Sequence, residues 1–396
     1  MIELSVMEHG REFPQLMRTL LDQFERETRL KVNLRILTWE NAWSELVRVG
    51  LYSDGPQVSE IGSTWLSEFV GMGALRPFSP QDLGRNISAE QYLPSAWASA
   101  LVSGRAGTAN TMWAVPWVAD TRIVYCRPEI FAQAGVDPQR AFQTPQTLLE
   151  AGAQFLAAGM SNPIVLPTRF THITLHNIAS WLWGSGGDFL TPDCRQAQFD
   201  TPAARAAFHA YFDLIKYMSP ATRGLDDHGM HAAYRRGEAA AVLTGTWLQH
   251  SLPAEVAAAT QHALPPGMPY LGGSQLVIWK HVRQPGPALA LVHYLTSAEV
   301  QRHFVKSTGL LPNRLDVLSQ DTFQQDPFLQ RTAEGLKQAR AFPVFPLWGL
   351  VEKRLTEAFT TIWTEILSTP EADVHAIVDK HIFVAARRLN ATFATY

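Results

Sequence analysis

Cysteine is scarce in this chain: Cys126 and Cys194 are the only two among 396 residues. Two thiols define neither a disulfide framework nor a cysteine-rich metal site, and two separate buried thiols are expected rather than a bridge. Charge is thin as well. Charged residues make up 17% of the chain and the formal net charge is −3, so nothing in the charge balance calls for nucleic acid or an anionic membrane as partner. No apolar run approaches the roughly 20 residues that a membrane-spanning helix needs. Internal repeats and low-complexity segments are missing. So are a P-loop, a G-x-S-x-G elbow and an H-E-x-x-H pair. Gly184-Ser185-Gly186 lacks the third glycine of a dinucleotide fingerprint. His172 and His176, and again His228 and His231, are spaced for one helix face, but no third ligand follows at useful spacing. No metal and no cofactor is therefore expected. A signal peptide is not visible either, since Ile2 to Val6 already alternates like a first strand. Two readings stay open from this: a processed mature form with an added Met1, or a cytoplasmic protein.

What is present is an ordinary globular composition, with 46% apolar residues, on a chain long enough that two domains are the default expectation. The first segment alternates strand and helix. Ile2 to Met7, Val32 to Leu37 and Val58 to Ile61 read as strands. Leu16, Leu20, Leu21 and Phe24 repeat at helical spacing after Pro14. Trp43, Leu46 and Val47 mark a second helix, and Trp65 to Met72 a third that turns at Gly73. Such alternation predicts a largely parallel sheet with helices on both faces. Thr144-Pro145 and Thr201-Pro202 each have an N-cap followed by proline at the first helical position. Ala239 to Leu243 reads as a strand running into Gly245 and Trp247. The cluster Pro265, Pro266, Gly267 and Pro269 marks a loop or a crossing between domains. After it come a strand at Gln275 to Trp279 and a helix at Pro287 to Leu295. Thr296 and Glu299 have capping-box spacing for the next helix, which ends at Gly309. Leu347 to Phe393 is mainly helical with a break around Pro370.

Tryptophan is the abundant residue: 12 of them suggest surfaces built for stacking in addition to core. The most informative stretch runs from Trp113 to Phe131. A Pro-Trp pair interrupts the backbone at Pro116-Trp117. Asp120 and Arg122 follow two residues apart, which places them on one face of a strand that continues through Ile123, Val124, Tyr125 and Cys126. A ring, a carboxylate and a guanidinium gathered at a strand mouth suit a neutral polyhydroxylated ligand. Pairing of Asp120 with Arg122 is the structural alternative.

Read in order, several segments resemble the family 1 extracellular solute-binding proteins, the sugar receptors of ABC importers. Gly62-Ser63-Thr64-Trp65, closing at Gly73-Ala74-Leu75, is similar to that family's first binding loop and helix. Trp113 to Phe131 is similar to its central segment. Trp183-Gly184-Ser185-Gly186-Gly187-Asp188-Phe189 resembles its tryptophan and glycine-rich turn, and Gly245-Thr246-Trp247 its G-x-W. Gly272-Gly273-Ser274 with Leu295-Thr296-Ser297-Ala298-Glu299, and then Gly309-Leu310-Leu311-Pro312, resemble the closing blocks. Arg122 stands where the family usually has a small residue, and Cys126 where it has Asn or Asp.

The resemblance implies a two-lobed α/β fold of the type II periplasmic-binding kind, with mixed sheets flanked by helices and discontinuous lobes joined by a hinge. The first lobe would comprise 1–117 and 274–315, the second 118–273 and 316–396. It implies a non-enzymatic receptor that captures a neutral mono- or oligosaccharide between the lobes, as a monomer, and delivers it to the membrane permease subunits of an ABC importer. The compartment would be the periplasm or, for a lipoprotein, the outer surface. A cytoplasmic ligand sensor on the same fold is the alternative, and a carbohydrate-active enzyme using Asp120 and Asp188 a more distant one.

A pyranose offers hydroxyl groups around its edge and apolar C–H faces, so its site needs flat aromatic walls and planar hydrogen-bonding groups. The candidates are Trp43, Thr64 and Trp65, with Glu8, His9 and Glu40 behind them. Trp117, Asp120 and Arg122 follow, then Trp183, Asp188 and Trp247, then Gly272, Gly273 and Ser274. Arg340 and Trp348 are added because the resemblance places a cation or a ring there. Core packing is the competing role for Trp43, backbone geometry for Gly272 and Gly273. If the segment around Trp181 and Trp183 is a strand, only one of the two can face a ligand. Trp279 and Trp363 lie in apolar periodic contexts and are assigned to core.

Overall fold

The structure, a computed structural model, describes residues 1–102, 110–169, 172–369 and 371–395. Pro370 and the side chain of His172 lie outside the described residues. The chain forms two compact units, each assembled from three separate stretches. The first comprises Met1–Thr121, Leu271–Gln325 and Ala341–Gly349; the second comprises Arg122–Tyr270, Asp326–Arg340 and Leu350–Tyr396.

The first unit is built on a seven-stranded sheet. Its order is Leu311–Pro312, Val115–Asp120, Gly272–Trp279, Val58–Gly62, Ile2–Met7 and Val32–Leu37, with Leu75–Arg76 pairing on Gly272–Trp279. Ile2–Met7 runs parallel to both of its neighbours. The expectation of a largely parallel sheet holds for these three strands only. Gly272–Trp279 lies antiparallel to Val58–Gly62 and to Val115–Asp120, because it arrives from the far side of the chain and not through a helical crossover. The Phe13–Thr28 helix starts at a Pro-containing first turn and buries Phe13, Met17, Leu20, Leu21 and Phe24, a single stripe. Each such side chain contributes about 1.5–3 kcal/mol when taken out of water. The Trp39–Tyr52 helix buries Ala42, Leu46 and Val49 on one side. Trp39 and Trp43, one turn apart, stay exposed on another.

The second unit carries a four-stranded sheet in the order Gln261–Ala263, Arg122–Cys126, Ala241–Gly245 and Ile164–Val165. Helices pack around it. Trp181 and Trp363 are buried among Tyr211, Phe212 and Phe359, and Trp279 is buried in the first unit. Both Thr-Pro helix starts are observed: the hydroxyl of Thr144 accepts from Thr147 N, and that of Thr201 from Ala204 N. The helix Ala298–Thr308 ends at Gly309 as read, but its cap is Ser297, whose hydroxyl accepts from Val300 N; Thr296 donates back to Val292 O instead. The segment holding Trp181 and Trp183 is a helix, His172–Gly184, and not a strand. The proline cluster 265–269 is a loop that stays in the second unit and docks on this helix, with Met268 N donating to Ser180 O. Cys126 is enclosed, which pushes its thiol well above the usual range, and Cys194 is half-buried; neither forms a disulfide. Among the described residues no helix is long and apolar enough to cross a membrane.

His262, on the Gln261–Ala263 strand, sits between the rings of Tyr125 and Phe328 and shares a hydrogen bond with Gln249 Oε1. Burial pulls its pKa down from 6.5 to about 4. The unfolded chain takes up the proton first, so this stability is complete above about pH 6.5. It is lost as pH falls towards 4, by about 2 kcal/mol after allowance for partial exposure. His262→Gln is expected to remove that slope from urea unfolding curves measured across the interval. An unchanged slope in the variant would contradict the assignment.

Candidate functional site

The first unit presents an aromatic group at the ends of its strands. Trp65 follows the Val58–Gly62 strand, and its ring meets Trp43 edge to face with centroids 5.4 Å apart and Trp39 at 6.0 Å. Trp39 is 44% and Trp43 37% exposed, so Trp43 is a rim residue and not core. Trp39 Nε1 donates to Glu8 O, and its ring stands edge-on to His9. His9 is in turn fixed by Glu60: its Nε2 lies 2.7 Å from Oε1, while Oε2 accepts from Met7 N at 2.6 Å. Glu60 is fully buried, and these two bonds to a carboxylate compensate part of its desolvation. Thr64 is half-buried beside Trp65, and Glu8 and Glu40 are exposed.

Sequence reasoning missed Trp39 and Glu60. A tryptophan four residues before Trp43 shares its helix face. A glutamate inside a short strand between Val58 and Ile61 has to find a partner if that strand is buried. Both signals were present.

In the second unit the Ala241–Gly245 strand delivers Trp247 to the first position of a short helix, Trp247–Ser251. The indole folds back over Gly245 so closely that a Cβ there would lie 2.0 Å from the ring. That close approach explains the glycine of the G-x-W motif. The Arg122 guanidinium sits 5.0 Å from the centroid of the same ring and 5.8 Å from that of Tyr270. Arg122 is 2% exposed, whereas Trp247 is 41% exposed. Arg122 Nη2 is 2.9 Å from His176 Nδ1, and His176 stacks on Tyr270 at 4.9 Å. Tyr125, on the same strand as Arg122, donates its hydroxyl to Gly245 O and Thr246 O, which holds the turn. Tyr270 was not anticipated, and His176 was noted only as one of two histidines four residues apart, without a third metal ligand, and not as a support for a binding ring.

A second group in this unit joins three anticipated residues from distant points in the chain. Arg340 Nη2 donates to Asp188 Oδ2 at 2.5 Å, and its guanidinium lies 5.0 Å from the Trp183 centroid; Trp183 Nε1 donates to Asp188 Oδ1 at 3.3 Å. Trp183 itself is buried.

Several anticipated residues take other places. Trp117 is fully enclosed, with Phe13 and Phe304 against its ring and its Nε1 donating to Leu295 O. It lies on a strand covered on both faces, so no ring face is left for a ligand. Trp348 is likewise enclosed and stacks on Phe342 at 4.6 Å. Asp120 and Arg122 do not share a strand face. The strand Val115–Asp120 belongs to the first sheet and Arg122–Cys126 to the second, because the chain changes unit at Thr121. Asp120 is half-buried at its strand end, in register with Gly272. Gly273, at φ +117°, lies against Ala119 and Val118 of that strand; Ser274 is buried, and its hydroxyl has no hydrogen-bond partner among the described residues. His231 is buried against the Thr244 hydroxyl. Among the described residues no cluster of three or more His, Cys, Asp or Glu is placed to hold a metal.

The chain is similar along most of its length to known proteins. The family model described as bacterial extracellular solute-binding protein matches residues 19–331. A curated relative is the diacetylchitobiose binding protein DasA of Streptomyces coelicolor, 23% identical over 354 residues, which cover 84% of this chain and 77% of that one. Among solved structures, an ABC transporter solute binding protein from Thermotoga lettingae bound with α-D-tagatose superposes with a TM-score of 0.82 at 22% identity, covering 99% of each chain. Maltose-bound MalE3 of T. maritima gives 0.81 at 19% identity, covering 99% of this chain and 100% of that one. The fold is thus the two-lobed α/β fold of the periplasmic sugar-binding proteins. With the family model matched across most of both units, the chain belongs to the bacterial extracellular solute-binding protein family.

Proposed function

We propose that this protein is the substrate-binding component of an ABC importer and that it captures a neutral carbohydrate. The observation that carries this reading is the set of tryptophan faces left open to water beside fixed hydrogen-bonding groups. Trp39, Trp43 and Trp65 form one ring cluster in which Trp39 stands against His9, itself held by Glu60, and Trp247 stands over Arg122. Large exposed rings held rigidly at strand ends are costly unless a partner covers them. A sugar supplies both apolar faces and hydroxyl groups. We read each set as a candidate for contact with carbohydrate, with Thr64, Asp120 and Ser274 as further hydrogen-bonding candidates in the first unit and Gly273 fixing the backbone beside them. Asp188 and Arg340 add a second polar group with Trp183. The relatives that bind diacetylchitobiose, tagatose and maltose support a carbohydrate as the ligand class.

The protein acts outside the cytoplasmic membrane as a monomeric receptor that hands its sugar to membrane permease subunits. Binding without turnover is the role we assign: Asp188 is already engaged by Arg340 and Trp183, which suits a fixed binding group better than a general acid. The test is a thermal-shift screen of mono- and oligosaccharides. A ligand present at about 100 times its Kd adds about 2.7 kcal/mol of stability, which a melting curve resolves. If no carbohydrate in a broad panel raises the melting temperature, the reading falls.

A further inference from the structure

Trp247 rests on a charged support that contains a titratable group, and the hydrogen-bonding chemistry fixes the state of that group. Arg122 is a donor only. Its Nη2 lies 2.9 Å from His176 Nδ1, so Nδ1 accepts and carries no proton. The ring proton therefore sits on Nε2, which lies 3.9 Å from Glu352 Oε1. The stack of His176 on Tyr270 leaves the imidazole no room to turn away without breaking an 11° parallel contact. A second proton, on Nδ1, would set an imidazolium N–H against the guanidinium.

We propose that Arg122 and His176 are a positioning pair beneath Trp247, and that the neutral state of His176 is required for the ring to receive its ligand. This deepens the carbohydrate-receptor reading and rests on it for the binding step alone. Arg122 is the charged group on the strand side of His176, and Glu352 on the side of the Trp348–Ser368 helix; Tyr270 covers one ring face. Tyr211, from the Pro202–Phe212 helix, senses the Arg122 charge, but burial pushes its hydroxyl up to about 12 and it stays neutral. Of these groups, His176 is the one whose residue type titrates between pH 5 and 8. Its protonation repels Arg122, and Arg122 is the cation on which the Trp247 face lies. Carbohydrate affinity therefore falls as pH falls. Arg122 acts through Trp247, and His176 through Arg122.

Two readouts separate this proposal from the reading beneath it. The first needs no ligand. The emission of Trp247, taken as the difference between the wild type and Trp247→Phe, is expected to change as pH is lowered from about 8 to about 5.5, across the range in which histidines titrate. The change is expected to vanish in His176→Gln, whose amide oxygen still accepts from Arg122. The second is affinity for maltose, N,N′-diacetylchitobiose or D-tagatose, whichever the wild type binds at the higher pH. Over that span Kd is expected to rise severalfold, because only the form with neutral His176 binds. His176→Gln should keep the tight value throughout, and His176→Leu should bind weakly at both ends. A Trp247 signal that is flat in the wild type, or that titrates equally in His176→Gln, overturns the positioning pair. So does a sugar affinity with the same pH dependence in both proteins. If no sugar binds while the Trp247 signal titrates as described, the carbohydrate reading fails and the positioning pair stands.

Discussion

Replacing Trp247 by Ala weakens carbohydrate binding by about 30-fold, the equivalent of about 2 kcal/mol, while the fold persists. The ring is 41% exposed and lies on Arg122 over a glycine, so its removal opens no closed cavity of the kind that makes core truncations costly. It does remove a rigid apolar plate that a sugar face can cover, and rigid aromatic plates lose little entropy when they bind. Titration calorimetry on the wild type and the variant gives the ratio of Kd values, and urea unfolding of both gives the stability difference. An affinity within twofold of the wild type would remove Trp247 from the site. A large loss of stability would make its role structural.

Gly273→Ala has the larger effect on folding, about 3–4 kcal/mol. At φ +117° the backbone is in a region that L side chains rarely adopt, and a Cβ there would lie 2.1 Å from Val118 O and 3.0 Å from Ala119 Cα. Positive φ alone costs about 1–3 kcal/mol. The carbonyl cannot retreat, because Val118 and Ala119 belong to a strand paired on both sides, with Gly272–Trp279 and with Leu311–Pro312. Moving it loosens ladder bonds that contribute about 1 kcal/mol each. The first unit should therefore unfold at clearly lower urea concentration. A change below about 1 kcal/mol, the size of an ordinary substitution, would show that this crossing tolerates a side chain and that the glycine answers to something else.

The elements whose signal is local were legible in the sequence. Ile2–Met7 and Val32–Leu37 have the limits read for them: Glu8 closes the first, and Lys31 and Thr38 bound the second. The Thr-Pro starts were legible because a cap is a contact between residues three apart. Asp120 and Arg122 show where this kind of reasoning stops. Alternation assigns a face only while the strand continues; the chain changes unit at Thr121, near the crossing that the family resemblance implies, and alternation alone does not mark it. Burial is equally non-local. Trp117 and Trp247 both follow a glycine- or proline-marked break, yet one is enclosed by Phe13 and Phe304 from distant segments and the other is left open. Asp188 and Arg340, 152 residues apart, were named together only through the family resemblance. Trp39 and Glu60 had local signals that were passed over. Tyr270 had none, and the spacing of His176 from His172 pointed to a metal pair rather than to the buried arginine found beside it.

The central claim is that the open tryptophan faces are there to hold a sugar. Native mass spectrometry of the purified protein with a panel of mono- and oligosaccharides, repeated on Trp247→Ala and Trp65→Ala, tests it most directly. The account predicts a one-to-one complex with at least one carbohydrate in the wild type and its loss or marked weakening in both variants. A wild type that retains no carbohydrate, or a complex that survives both substitutions unchanged, would contradict it.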